Sequence, residues 1–189
     1  MDTATLSRYR HLAEQFTFRV EAVDPQAWER QSPCEDWKAI DVLNHVTAGT
    51  QAFLAALDGA PLTGPPAPIS ERDPARALAA WQDARRRTEE ALADPQTAGK
   101  VLDGPFGPMA YEDYVHRLTS IDLLVHTWDL ARAAGLDESI DPATSAEALA
   151  FLTPLDSQLR APGVFKPKLE PPAHADVATE LLCFLGRKV

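Results

Sequence analysis

"SIDLLVHTWDLARAAG", residues Ser120 to Gly135, decides how this chain is read. Its middle, Ile121 to Leu130, is apolar on most sides, which predicts a central, buried helix. Gly135 stands where a helix can end in left-handed backbone. Yet Asp122, His126 and Asp129 interrupt the apolar run. At about 100° per residue, all three fall on one narrow stripe. Asp122 and His126 are about one turn apart and can share one ion. Asp129 lies roughly 10 Å from Asp122 along the axis, so it can reach His126 but not that ion. An unpartnered buried carboxylate is costly, and a divalent cation removes the cost. The plainer alternative is an Asp–His hydrogen bond that orders the core.

The stretch "AIDVLNHVTAGTQAFLAAL", Ala39 to Leu57, supplies a third donor, His45. Its helical face carries Ala48, Gly49, Ala52 and Ala56. A glycine inside a helix costs about 1 kcal/mol relative to alanine, and such small residues leave space beside an imidazole. Gly49 and Ala52, with Trp128, are therefore expected to line a cavity. Two histidines, one carboxylate and an open position suit zinc, with nickel, manganese or iron as other options. The expected ligands are His45, Asp122 and His126. Asp41 precedes His45 by four residues. It belongs to the first helical turn, where a carboxylate meets the helix dipole, with support of the site as the alternative. Asp129 either orients His126 or pairs with Arg132. His116 is expected at the surface or rim, and His11 and His174 in solvent. Trp37 and Trp128 read as core anchors that could wall the cavity.

Outward from these stretches the pattern stays helical. Leu12, Phe16, Val20 and Val23 form one apolar stripe. "DPQAWERQSPCEDW" breaks that helix, and the next is expected to run from near Asp36 or Trp37 to near Gly59. Asp73–Pro74 and Asp141–Pro142 each read as an N-cap followed by proline at the first helical position. The helix from Asp73 should point Leu78, Trp81 and Leu92 inward and end before Pro95. The turn-rich "QTAGKVLDGPFGPM" has room for a short extended piece. A fourth helix is expected from about Ala110 to Ala134, and a short last helix should close at Gly186. The expected architecture is all-α. Residues 1–135 form a metal-binding four-helix bundle, and 136–189 form a helical C-terminal extension packed on it.

A net charge of −10 argues against a nucleic-acid footprint. "ARRRTEE" reads as a solvated helix face. No apolar run approaches a membrane span, and the first residues do not form a signal peptide, so a cytoplasmic location is expected. Two cysteines outside any CxxC motif make no disulfide framework. Cys34 precedes Glu35 and Asp36, an acidic neighbourhood, and Cys183 reads as a buried apolar residue.

"WERQSPCEDWKAIDVLNHV", "DLLVHTWDLARAAG" and the terminal "LLCFLGR" together resemble the DinB-like superfamily. Within it they are similar to the actinobacterial group related to the N-terminal domain of mycothiol-dependent maleylpyruvate isomerase. The resemblance runs through nearly the whole chain. It implies a DinB-like four-helix bundle with a divalent-metal site, its ligands carried over onto His45, Asp122 and His126. Where the isomerase has Glu, this chain has the shorter Asp122. Where the family places Ser or Thr at the start of the second helix, this chain has Lys38, so the cap is expected to fall back on Asp36. The isomerase also has a separate C-terminal domain, for which this chain is expected to be too short, so its own reaction is not carried over. The resemblance implies an enzyme that activates a thiol such as mycothiol, as cosubstrate, for transfer to or isomerisation of a small electrophile, as a monomer or homodimer. The alternatives are a metal-dependent hydrolase, lyase or cyclase on a secondary metabolite, or a non-catalytic metal-binding stress protein. The basic "FKPK" segment could face a sugar-bearing thiol, or it could be a solvated loop.

Overall fold

A computed structural model describes residues 3–63, 66–104, 107–160 and 166–189. The first helix, α1, spans Ala4–Ala22, and the Thr3 hydroxyl caps it by accepting from the Leu6 N–H at 3.2 Å. Its expected stripe is buried: Leu12, Phe16, Val20 and Val23 all face inward. Helix α2 spans Ala39–Leu57 and α3 spans Pro74–Ala93. Asp73 caps α3 through the Ala75 N–H, and proline occupies the first turn, as its sequence predicts. A single turn, α4 (Pro95–Ala98), and two antiparallel two-residue strands, β1 (Val101–Leu102) and β2 (Met109–Ala110), fill the turn-rich connection.

Two helix boundaries differ from expectation. The cap of α2 is Lys38 rather than Asp36. Asp36 is held at φ 61°, outside helical backbone, and Lys38 is drawn into an extended bridge with Gln31. The cap bond is made backwards: the Lys38 N–H donates to Asp41 Oδ2 at 2.9 Å. The expected helix from Ala110 to Ala134 is also interrupted. It begins as α5 (Tyr111–Tyr114), passes through one π turn (Val115–Thr119), and continues as α6 (Ser120–Ala134). The Ser120 N–H and hydroxyl both donate to the Val115 carbonyl. A π turn inserts extra backbone and re-aims the residues after it. Here it starts α6 afresh, with Asp122 in the first turn. Gly135 ends α6 at φ 74°, a conformation that glycine adopts without Cβ strain.

The four long helices pack in a ring: α1 against α6, α6 against α2, α2 against α3, and α3 against α1. The chain is therefore an all-α four-helix bundle. Its core is built from Tyr9, Phe16, Ile40, Leu43, Trp81, Leu92, Leu123 and Leu130. Phe16 and Trp81 meet edge to face at 5.2 Å, and Trp81 Nε1 donates to Thr17 Oγ1 at 2.9 Å. Leu78 is only half-buried. Arg85 and Arg86 of "ARRRTEE" pair with Glu89 and Glu90, one turn on.

Helix α7 (Pro142–Leu152), capped by Asp141, packs on α6 and on α9 (Val177–Phe184). The single turn α8 (Asp156–Leu159) lies between them. Arg19 binds Asp137, and Arg8 binds Glu147, which ties this C-terminal part to α1. Among the described residues, no helix is long and apolar enough to cross a membrane.

Trp81 carries the joint between α1 and α3. Trp81→Ala should destabilise the protein by about 3–5 kcal/mol, read as a lower urea midpoint with intact helical circular dichroism. A loss below about 1 kcal/mol would contradict this packing.

Candidate metal centre

Helices α2 and α6 adjoin, and their polar residues meet where they do. His45 Nε2 lies 3.4 Å from Asp122 Oδ1, and His126 Nε2 lies 3.3 Å from the same oxygen. The three donor atoms all fall within 4.8 Å of one another. This is the trio that the sequence singles out. The side chains of His45 and Asp122 are 27% and 34% exposed, while His126 is 7% exposed. One side of the trio therefore faces solvent and the other faces the core.

Gly49 keeps room beside the carboxylate, since a Cβ built there would stand 3.7 Å from Asp122 Oδ2. Ala52 is half-buried further along α2. Two cavities, of about 330 and 310 Å³, lie elsewhere. One is lined by His11, Leu124 and Asp141, the other by Leu57, Arg87 and Lys100. Trp37 is the wall of the trio. Its ring centre is 4.6 Å from that of His45 and 5.9 Å from that of His126. Trp128 is buried in the core, with Arg132 stacked on it at 4.9 Å.

Behind His126 stands Asp129, fully buried. Its Oδ2 lies 2.9 Å from His126 Nδ1, close but poorly aligned for a linear N–H···O bond. Arg132 pairs with Glu138 instead of Asp129. Asp129 binds Arg187, whose Nη2 is 2.8 Å away, and accepts from the Cys34 thiol at 3.4 Å. Glu35 and Asp36 gave Cys34 an acidic setting in sequence, but the fold places a guanidinium beside it, 3.6 Å from Sγ. Asp41 is engaged at the start of α2, where it also pairs with Arg72 at 2.8 Å. His11 and His174 are exposed, and His116 is half-buried. In "FKPK", Lys166 pairs with Glu35 and Lys168 with Asp156, while Phe165 lies outside the described residues.

Sequence reading missed Cys34 and Arg187 as neighbours of His126. Both stand in quoted motifs, "PCEDW" and "LLCFLGR", but no local periodicity links them to α6.

The charges in this cluster shape one another. Burial works against ionising Asp122, yet the His126 and His45 imidazoles hold its carboxyl well below the usual range. Burial likewise opposes charging of His126, but the Asp122 carboxylate, helped by Asp129, raises its pKa. Asp129 is lowered to about 2, against burial, by His126 and Arg187. The donor set fits a cation. Both imidazoles present Nε2 to the carboxylate, and the other nitrogen of His126 already faces an acceptor, the arrangement that orients a metal-bound histidine.

A family model described as the mycothiol maleylpyruvate isomerase N-terminal domain matches residues 9–131. Two proteins of Mycobacterium tuberculosis, from strains CDC 1551 / Oshkosh and ATCC 25618 / H37Rv, both named as uncharacterized, are each 31% identical over 160 residues. The match covers 84% of this chain and 84% of each relative. Crystal structures of the mycothiol-dependent maleylpyruvate isomerase and of a mutant of it share the fold. The mutant superposes with a TM-score of 0.60 at 14% identity, the other with 0.54 at 17%. Each match covers 84% of this chain and 72% of the isomerase chain.

The pKa directions predict a stability profile for the metal-free chain. Asp129 and Asp122 titrate lower when folded, so their contribution is complete above about pH 4 and fades as pH falls through the folded values. For Asp129 this amounts to about 2 kcal/mol. His126 titrates higher when folded, so its contribution is complete below about pH 6.5 and is lost as pH rises through the raised value. Urea unfolding without metal should therefore show greatest stability between those limits, and zinc should lift the alkaline limb because it needs neutral imidazoles. A flat profile unaffected by zinc would contradict the arrangement.

Proposed function

Because the chain belongs to the family of the mycothiol maleylpyruvate isomerase N-terminal domain, we propose that it is a divalent-metal-dependent enzyme that activates a mycothiol-type thiol toward a small electrophile. The observation that carries this reading is the convergence of His45, Asp122 and His126 from two helices. These three would hold the ion, and two imidazoles with one carboxylate match zinc best. An ion held there would favour the thiolate form of a thiol near neutral pH, where a free thiol with a pKa of about 8.5 is mostly protonated.

The chain's own residues prepare that chemistry. Asp129 engages Nδ1 of His126, which leaves Nε2 for coordination. Trp37 packs on both imidazoles and restricts their rotation. Asp122 and His45 remain partly exposed, so a small thiol can approach from solvent. Gly49 keeps the side of Asp122 uncrowded. The electrophile would sit over the same open side, and the reaction class is thiol transfer or thiol-assisted isomerisation. Nothing in this reading calls for nucleic acid, a membrane or a protein partner.

The expected stoichiometry is about one zinc per chain. His126→Ala should lose the metal and mycothiol binding together. Gly49→Ala should keep the metal, since the new Cβ makes ordinary contact with Asp122. Gly49→Leu should fill the approach and lower mycothiol affinity, at a packing cost of about 1–3 kcal/mol. The checks are metal analysis and calorimetric titration with mycothiol. Equal mycothiol affinity across wild type and all variants would remove the thiol reading.

A further inference from the structure

On the side of His126 away from Asp122, a second group of donors gathers. Cys34 Sγ, His126 Nδ1 and an Asp129 oxygen lie within 4.8 Å of one another. The His126 Nδ1 is buried and makes no well-formed hydrogen bond. Such a set could hold a cation, and the protein already supplies one. Arg187 places Nη2 2.8 Å from Asp129 Oδ2 and Nε 3.3 Å from Asp129 Oδ1. This is a two-pronged grip on one carboxylate, the geometry that suits guanidinium and not ammonium. The same Nη2 stands 3.6 Å from Cys34 Sγ. Electrostatic repulsion from Arg187 disfavours a second metal ion there.

We infer that Arg187 is a positioning residue of the metal centre: its guanidinium fixes the Asp129 carboxylate, and that carboxylate fixes His126. The inference rests on the proposed metal site of His45, Asp122 and His126. It adds to that site a residue from the C-terminal segment, outside the 9–131 span that the family model matches.

The chain is built to deliver this side chain. Helix α9 is anchored in the core by Leu181 and Leu182. Gly186 then turns the backbone at φ 79°, and a Cβ there would stand 2.8 Å from Lys166 Cβ and 2.9 Å from the Pro167 carbonyl oxygen. Only glycine fits both the conformation and the space. The Arg187 N–H donates to the Leu182 carbonyl, and Nη1 donates to the Leu185 carbonyl. The Arg187 side chain is 13% exposed and Asp129 is 0% exposed, so the guanidinium stands between the carboxylate and bulk water. Without Arg187, Asp129 keeps His126 and the Cys34 thiol as its partners among the described residues. A fully buried carboxylate that loses its two-pronged partner is no longer held in one place. The His126 ring then loses the fixed acceptor that sets its orientation.

The test compares wild type, Arg187→Ala, Arg187→Lys, Asp129→Asn and the Arg187→Ala/Asp129→Asn double variant. Zinc affinity is measured by competition with a chromogenic chelator, and site geometry by the cobalt(II) absorption spectrum. Arg187→Ala should bind zinc about ten- to a hundredfold more weakly, with an altered cobalt spectrum. Arg187→Lys should fall between it and wild type, because it keeps the charge but loses the fork. The double variant should bind no more weakly than Asp129→Asn, because both changes cut one path. Dilute guanidinium should restore part of the affinity to Arg187→Ala and none to Asp129→Asn. Wild-type zinc affinity and spectrum in Arg187→Ala would overturn the inference, as would additive losses in the double variant. Should Arg187→Ala not fold, undiminished zinc affinity in Arg187→Lys would overturn it equally. A wild-type chain that binds no zinc overturns the metal reading itself, which distinguishes that failure from this one.

Discussion

A carboxylate with no exposed surface must find its countercharges inside the protein, and Asp129 is such a group. It draws together three parts of the chain: His126 on its own helix, Cys34 from the loop before α2, and Arg187 beyond α9. A charge this buried is destabilising unless every partner is in place. The loop and the C-terminal turn are therefore held to α6 by more than apolar packing. The same interactions set the orientation of His126, on whose other nitrogen the Asp122 contact depends.

The bundle itself does not rely on that cluster. Phe16, Trp81, Leu43 and Leu130 form an apolar interior that excludes water without help from any ion. The polar cluster sits at the junction of α2 and α6, between the ring of helices and the C-terminal part. This division lets a rigid scaffold carry donors that are individually unfavourable to bury. It also explains why His45 and Asp122 stay partly exposed while Asp129 does not. The first two face the open side, and Asp129 backs the core.

Much of the frame was legible in the chain as written. Asp73–Pro74 and Asp141–Pro142 announce α3 and α7, since an acidic cap and a proline at the first position act through bonds only two or three residues long. The start of α2 was not legible, because Asp36 is forced to positive φ by the bend around it and Asp41 caps from inside the helix. The π turn at Val115–Thr119 was also missed, because a helix with one extra residue in its ladder has the same composition as one without. Trp37 was read as a core anchor that could wall the cavity, and which imidazoles it touches becomes visible only when α2 meets α6.

The sequence by itself determined the helices, the apolar stripes and the polar residues that share one face of α6. Those properties follow from a repeat of 3.6 residues, which is local. It also singled out His45, through the small residues around it. The grouping of His45 with Asp122 and His126 was likewise expected, while the tertiary structure alone decided that Asp129 turns to Arg187 instead of Arg132 and that Cys34 joins them. Arg187 stands 58 residues from Asp129 and 153 from Cys34 along the chain. No periodicity spans such a distance. Which distant side chains meet is settled by how the helices pack, and the buried charge of Asp129 then fixes which of them remain.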